Sequence, residues 1–306
     1  MTETEADRST DTRCGYVAII GAPNAGKSTL LNLLAGSKLS IVSPKVQTTR
    51  ARVLGIRIEG GAQLIFVDTP GIFAPRRRLD RAMVSAAWEG AGDADLVLLM
   101  VDAERGIDAD VDRILTGLRD GNRKAILALN KVDLVRRSKL LELAAKLNEA
   151  GVFTDTFMIS ALTEDGVGDL LAHLAKHLPE GPWLFPEDQL SDVPMRLLAS
   201  EITREKLFLQ LHQELPYAAT VETETWEEFE NGDVRIGQVI FVQRDSQRAI
   251  VLGKGGRQIR AIGEAARTEL QEMFERKVHL FLHVKVREQW VDDPERFRAM
   301  GLDHNA

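Results

Sequence analysis

A doubly wound α/β domain with a mostly parallel sheet, followed by a small α+β domain, is the fold this sequence predicts, and three observations predict it. Between Tyr16 and Leu178 short apolar runs alternate with helical stretches. Residues 179–194 then hold four of the ten prolines. Beyond them the pattern changes to one helix, alternating strands, and a glycine-rich loop that opens another helix.

In the first region the runs YVAIIG, AQLIFVD, DLVLLMVD and KAILALN are apolar at nearly every position. That is the signature of strands buried on both faces of a parallel sheet. Lys27–Ala35 and Ser138–Ala150 are predicted helices between them, and strand–helix alternation gives the doubly wound form. Proline stiffens the chain and interrupts both kinds of backbone ladder, so 179–194 is predicted to be an interdomain linker. The second region is predicted as a helix over about Arg196–Glu214, strands TVETETWEEFE and VRIGQVIFVQ, a short strand RAIVLG, a helix RQIRAIGEAARTELQEMFERK, and a strand HLFLHVKV. The expected division is a disordered, polar N-terminal tail over 1–14, the first domain over 15–178, the linker over 179–194, and the second domain with a C-terminal tail over 195–306.

Composition narrows the function classes. At 44% apolar and 28% charged residues the chain is of the soluble globular kind. Its single cysteine, Cys14, rules out a disulfide framework and fits a reducing cytoplasm. No apolar run approaches the roughly 18–20 residues of a membrane helix, and the polar start MTETEADRSTDTR does not have the apolar core of a signal peptide. The net charge of −7 argues against a nucleic-acid binder as a whole, but net charge averages over domains and hides local basic sites.

Four motifs define a nucleotide site. Gly21-Ala22-Pro23-Asn24-Ala25-Gly26-Lys27-Ser28, with Thr29 behind it, follows a strand and opens a helix, the setting in which GxxxxGK[ST] wraps phosphates with backbone N–H groups. Lys27 is assigned to the β- and γ-phosphates and the Ser28 hydroxyl to magnesium. Asp68-Thr69-Pro70-Gly71 ends the second run. There Asp68 is expected to hold magnesium through water, and Gly71 to offer its N–H to the γ-phosphate. Asn130-Lys131-Val132-Asp133 ends the run KAILALN. The Asp133 carboxylate accepts the N1–H and amine of guanine, a donor pair that adenine does not have, while the Lys131 stem covers the base. Ser160-Ala161-Leu162 is the fourth element, with the Ala161 N–H directed at guanine O6. Together the four indicate GTP rather than ATP. In Lys45-Val46-Gln47-Thr48-Thr49-Arg50, Thr49 is the preferred further magnesium ligand and Thr48 the alternative. The catalytic set is therefore Lys27, Thr49, Asp68 and Gly71. Ile72 stands where a Ras-like enzyme has its water-orienting glutamine, so slow turnover is expected. Asn24 either helps hold a potassium ion, as in related GTPases, or simply stabilises the loop as a turn residue; the sequence leaves both readings open.

In the second domain Gly253-Lys254-Gly255-Gly256 precedes a helix, and GxxG loops of this kind clamp single-stranded nucleic-acid backbone. Arg248–Lys277 carries seven basic and four acidic side chains, a net of +3 in an acidic chain. The expected RNA contacts are Gly253, Lys254, Gly255, Gly256, Arg257, Ile259, Arg260 and Ile262, with Ile250, Val251 and Leu252 adding to an apolar floor. His173 and His177 have a spacing compatible with metal, but a place near a helix C-terminus explains them better. Arg76-Arg77-Arg78 is assigned to a solvated loop.

The succession GAPNAGKS, KVQTTR, DTPG, NKVD, SAL, a proline linker and VLGKGGRQIRAIGEAAR resembles the Era family of bacterial GTPases, from about Tyr16 to Gly301. The resemblance implies a C-terminal KH domain of the βααβ (type II) kind, binding to the 3′ end of 16S ribosomal RNA, and a role in 30S subunit assembly and rRNA maturation. It also implies a cytoplasmic monomer with peripheral association at the inner face of the cell membrane. Ala22 and Ala25 stand where many members carry Arg and Val; both positions bind through backbone.

Overall fold

The computed structural model describes residues 12–43, 45, 49–50, 52–211, 215–288, 293–304 and 306. The first domain is a six-stranded sheet between two helical layers. Its strands are β1 (Arg13–Gly21), β2 (Val53–Glu59), β3 (Ala62–Asp68), β4 (Leu96–Asp102), β5 (Ala125–Asn130) and β6 (Phe153–Met158), in the order β2-β3-β1-β4-β5-β6. All pairs are parallel except β2 with β3. Residues alternate between two cores, because successive side chains point to opposite faces of a strand. Val17 and Ile19 join α1 (Lys27–Ala35) and α5 (Val167–His177) on one face. Ala18 and Ile20 join α2 (Arg78–Asp93), α3 (Ala109–Asp120) and α4 (Arg137–Asn148) on the other. Neighbours of β1 are reached in opposite directions, so the loop after it opens at a switch point, where such sheets bind ligands.

The second domain is α6 (Met195–Gln210), β7 (Ala219–Glu228), β8 (Val234–Val242), α7 (Asp245–Leu252), α8 (Arg257–Phe274) and β9 (Val278–Val286). Its sheet runs β7-β8-β9, antiparallel then parallel. The core of α6, α8 and the sheet contains Leu207, Val221, Ile240, Val251 and Ile262. A last helix, α9 (Pro294–Ala299), turns back to the first domain: Phe297 and Leu302 are buried against Leu79, Ala82 and Met83 of α2.

Three expectations need correction. Residues 1–11 of the predicted tail lie outside the described residues, but Thr12–Cys14 is no tail. β1 begins at Arg13, Cys14 is buried, the Cys14 N–H donates to Pro179 O at 3.1 Å, and the Thr12 hydroxyl donates to Gly181 O at 3.0 Å. RAIVLG is not a strand: Asp245–Leu252 is helical, with the Gln247 side chain accepting from the N–H groups of Gln243 and Arg244 at 2.8 and 3.1 Å. Packing of Val251 into the domain core overrides the β-preference of Ile250 and Val251. Ile262 is fully buried in that core and floors no groove. The 179–194 segment, expected as a linker, is bound to the first domain. Fully buried Gln63 accepts from Leu184 and Phe185 N–H at 2.8 and 3.0 Å. The Ile56 N–H donates to Leu190 O at 2.8 Å, and the Ser191 hydroxyl to Leu54 O at 2.6 Å. The linker thereby covers the edge of β2, which would otherwise offer unpaired backbone groups.

Candidate functional site

The phosphate-binding loop lies between β1 and α1. Lys27 opens α1 and is buried, its ammonium donating to Gly21 O and Ala22 O, both at 3.1 Å. The side chain thus lies across its own loop. Burial pulls its pKa down to about 8, while the charge of Asp68 acts in the opposite sense. Gly26 is in the left-handed region at φ 100°, and a Cβ there would meet Asn130 Nδ2 at 2.2 Å. Gly71 approaches Pro23 so closely that a Cβ would stand 3.0 Å from its backbone. Both glycines therefore let a second loop reach the first.

Three of the predicted metal-ligating side chains come together. Asp68 is fully buried at the end of β3, and its Oδ2 accepts from Ser28 Oγ at 2.8 Å and Thr49 Oγ1 at 3.0 Å. Ser28 and Thr49 are themselves 2.9 Å apart. Ser40, which belongs to none of the four motifs, adds a third hydroxyl at 2.9 Å. Burial raises the Asp68 carboxyl above the usual carboxylate range, with Lys27 and the three hydroxyls opposing. Asp68 Oδ1 is buried with no hydrogen-bond partner. A buried carboxylate oxygen left in that state is costly, and a divalent cation reached through Ser28, Thr49 and Asp68 fits it. Thr48, the alternative ligand, lies outside the described residues, as do Val46 and Gln47.

Next to this cluster is a cavity of about 240 Å³ lined by Pro23, Asn24, Gly26, Lys27, Ser28, Thr29, Thr49, Gly71 and Lys131, among others. Its far end is organised by Asn130, which is 2% exposed. The Asn130 amide donates to Ala25 O at 2.8 Å and accepts the Ala161 N–H at 2.9 Å. Asn130 therefore ties the phosphate loop to the Ser160-Ala161-Leu162 loop. The Ala161 N–H, expected at guanine O6, donates here to Asn130. Lys131 Nζ meets Asp102 Oδ2 at 2.5 Å. Asp102 ends β4 as Asp68 ends β3, a repeated pattern by which the sequence reveals it. Asp133 and Leu162 are exposed. Thr69 and Ile72 turn away from the cavity: the Thr69 hydroxyl donates to Ile19 O at 2.9 Å, and the Ile72 side chain is buried in the core while its N–H donates to Gly21 O at 3.1 Å. Asn24 is left-handed at φ 65°, a conformation that asparagine tolerates in turns.

The GxxG loop is built differently. Gly253, Gly255 and Gly256 all have positive φ, at 68°, 63° and 72°. Arg260 Nε donates to Gly256 O at 3.1 Å and Arg257 Nε to Lys254 O at 3.4 Å. Lys254, Gly255, Arg257, Arg260 and Ile250 are exposed, and Ile259 is half-buried. The positive N-terminus of the 18-residue α8 lies at the loop. His173 faces Asp155 at 3.4 Å and His279 faces Asp233 at 3.1 Å, and among the described residues no group of three His, Cys, Asp or Glu side chains is placed to hold a metal. Arg76–Arg78 is exposed, with Arg78 Nη1 3.0 Å from His304 Nε2.

The two domains meet along the segment that carries Ser40 and Thr49. Lys38 Nζ pairs with Glu205 at 2.6 Å and also with Glu269, and the Val42 N–H donates to Glu205 at 2.8 Å. Arg50 Nη1 donates to Ala219 O at 3.0 Å. No helix among the described residues is long and apolar enough to cross a membrane.

Comparison with known proteins agrees with this division. A family described as "50S ribosome-binding GTPase" matches residues 16–131, and the KH domain family matches residues 214–291. The chain is similar to GTPase Era of Sinorhizobium medicae (66% identical over 95% of this chain and 94% of that one). Against GTPase Era of Rhizobium meliloti the identity is 63%, over 99% and 98% of the two chains. Among solved structures it resembles Era in complex with MgGDPNP and nucleotides 1506–1542 of 16S ribosomal RNA, with a TM-score of 0.90 at 39% identity over 95% of this chain and 99% of that one. A variant of Aquifex aeolicus Era bound to GDP and aluminium fluoride superposes with a TM-score of 0.89, at the same identity and coverage.

Proposed function

The chain belongs to the Era family of GTPases, and we propose that it is a guanine-nucleotide switch that holds the 3′ end of 16S ribosomal RNA during assembly and rRNA maturation of the 30S subunit. It is a GTP hydrolase. One observation carries the reading: Ser28, Thr49 and Asp68 converge beside Lys27, in the same chain as an exposed GxxG loop. The G domain runs to 178 and begins at Arg13 rather than 15, and the RNA-binding unit is 195–306. The names of its relatives point to different ribosomal subunits. A nearly full-length relative with 16S RNA bound outweighs a match confined to residues 16–131.

The chain's own residues do the following. Backbone N–H groups from Asn24 to Thr29 surround the phosphates, and Lys27 meets the β- and γ-phosphates. Ser28, Thr49 and Asp68 would hold a magnesium ion, which when bound neutralises phosphate charge. Gly71 offers its N–H to the γ-phosphate. Asp133 selects guanine, with Lys131 beside the base and Asn130 holding the two loops around it. Because Ile72 is buried and has no polar side chain, no residue at that place orients water, and the intrinsic rate is slow. A potassium ion at Asn24 would supply charge in place of an arginine; phosphate release in potassium against sodium, repeated on Asn24→Ala, tests it, and equal rates leave Asn24 a turn residue. In the KH unit Lys254, Gly255 and Gly256 face phosphate, Arg257 and Arg260 brace the loop, and Ile259 and Ile250 meet bases. Monomeric state and peripheral membrane association belong to the same reading, and light scattering and flotation with anionic vesicles test them.

The main experiment measures phosphate release from GTP and ATP with magnesium, and filter retention of the 3′-terminal 16S fragment against a scrambled RNA of equal length. GTP-selective release with fragment-selective retention is expected. Equal retention of the two RNAs sinks the 16S assignment.

A further inference from the structure

We propose that Ser40 is a positioning residue for the metal site: it fixes the rotation of the Asp68 carboxylate while Ser28 and Thr49 answer to the cation as well. This rests on the placement of the metal at Ser28, Thr49 and Asp68 given above. The starting point is the unequal loading of Asp68. Three hydroxyls, from Ser28, Ser40 and Thr49, lie 2.8–3.0 Å from Oδ2, while Oδ1 has no partner. A carboxylate oxygen has two lone pairs; Ser28 and Thr49 lie 2.9 Å apart and one can donate to the other, so Oδ2 is fully occupied while Oδ1 accepts nothing. Two of its three donors are the residues assigned to the cation. A hydroxyl gives a lone pair to a cation and keeps its proton for Asp68, so the positions of Ser28 and Thr49 are then set by both, while Ser40 answers to Asp68 alone.

Ser40 is built to stay. It is 4% exposed, and its backbone is clamped by Asn32 of α1. Asn32 Oδ1 accepts from Leu39 N and Ser40 N at 2.9 and 2.8 Å, and Asn32 Nδ2 donates to Ser40 O at 2.7 Å. Both ends of the Asn32 amide are directed at this one turn. The hydroxyl is thus carried by α1, the same helix that carries Lys27 and Ser28, and does not depend on the segment around Thr49. Groups behind a ligand that fix its orientation typically change metal affinity about 10–100-fold when removed.

The test uses the full chain with three proteins: wild type, Ser40→Ala and Ser40→Thr. Binding of a fluorescent GDP is titrated in EDTA and then across a magnesium series, Mn²⁺ affinity is read by electron paramagnetic resonance, and a thermal melt is taken on each preparation. Ser40→Ala is expected to raise the half-saturating metal concentration by about tenfold, with nucleotide affinity in EDTA and the melt unchanged. Ser40→Thr keeps the hydroxyl and is expected to restore the wild-type value. An unchanged metal requirement in Ser40→Ala overturns the proposal. So does an equal loss of affinity with and without metal, which would make Ser40 a general support of the loop. If wild type itself shows no metal dependence, the metal placement fails and Ser40's role falls with it. A wild-type dependence that Ser40→Ala leaves unaltered removes Ser40 alone.

Discussion

The nucleotide site and the GxxG loop are both proposed to meet phosphate, yet they are assembled in opposite ways. The first draws on residues scattered from Gly21 to Leu162, and although Asp133 is exposed, Lys27, Asp68 and Asn130 are buried and locked to their neighbours: Asp68 to three hydroxyls, Asn130 to two loops, Lys27 to its own backbone. The second is a few consecutive residues whose charges face solvent. In the buried site the loss of a side chain leaves partners unsatisfied in a region of low dielectric. In the exposed loop it takes away one charge and little else. Damage should therefore spread in the G domain and stay local in the KH unit.

The largest effect is expected from Lys27→Ala. Loss of one preorganised charge typically costs on the order of 10²–10³ in turnover, read as phosphate release. RNA retention without nucleotide should stay at the wild-type level; a parallel loss of RNA binding would break the separation of the two sites. Asp133→Asn comes next. It removes a charged acceptor of two hydrogen bonds, each worth about 1.5–3 kcal/mol, and an amide suits xanthine. GTP affinity should fall by roughly a hundredfold while xanthosine triphosphate gains, measured by competition against labelled nucleotide; unaltered base preference removes Asp133 from the base site.

Changing Lys254 and Gly255 both to Asp sharpens the other side of the comparison. A Cβ at Gly255 meets no atom within 4 Å, and aspartate tolerates the left-handed region better than most residues, so the fold should survive. RNA affinity is expected to drop at least about tenfold, and the salt slope to shrink by about 0.7 for each phosphate that the protein no longer neutralises. Filter retention at two salt concentrations measures both, and GTP hydrolysis without RNA should not change. If this pair still binds RNA normally, the exposed basic run Arg76–Arg78 is the next surface to test.

Asn130→Ala probes how far buried damage travels. It leaves Ala25 O and Ala161 N–H without their partner, at about 1–3 kcal/mol for a buried group so abandoned. The melting temperature should fall by several degrees, and a melt within a degree of wild type would show that the clamp is not needed. The smallest effect is a proton. Because burial holds Lys27 at about 8 rather than its ordinary 10.5, the empty protein loses this charge as pH rises through 8. Phosphate favours the charged form, so nucleotide binding above pH 8 should take up a fraction of a proton, and binding near pH 6 should take up none through this group. Calorimetry in buffers of different ionisation heat separates the two.

The same contrast explains what is legible in the sequence. Lys27, Ser28, Asp68 and Asp133 stand in fixed strings at strand ends, and the strands are legible because apolar runs of that length pack on both faces. Thr49, the preferred hydroxyl of its segment, lies beside Ser28 and Asp68, and Thr48 is outside the described residues. Ser40 and Asn32 belong to no string; a single serine between Leu39 and Ile41 is only a hydroxyl in apolar company. The edge strand β2 is hard to read, as its outer half, Arg57–Glu59, is only partly buried. In the KH unit the GxxG residues are plain in the sequence, but the eight-residue α7 reads as a strand. Its β-branched residues speak louder locally than the packing that only the folded domain supplies. Ile262 reads as part of a groove for the same reason, since an apolar residue near a binding loop looks alike in sequence whether it faces inward or out.

The return of α9 to the G domain has a consequence of a kinematic kind. A rigid body held at one point can swivel freely, one held at two turns only about the line between them, and one held at three points off a common line has no rotation left. The KH unit is held by the linker bound to Gln63 and the edge of β2, by Lys38, Val42 and Arg50 meeting Glu205 and Ala219, and by Phe297 and Leu302 set against α2. With all three in place a free swivel about the linker alone is not open to it. Any reorientation of the GxxG loop relative to the sheet must begin with the release of one attachment, and two of the three grip the elements on either side of Asp68 rather than the linker that joins the domains in sequence.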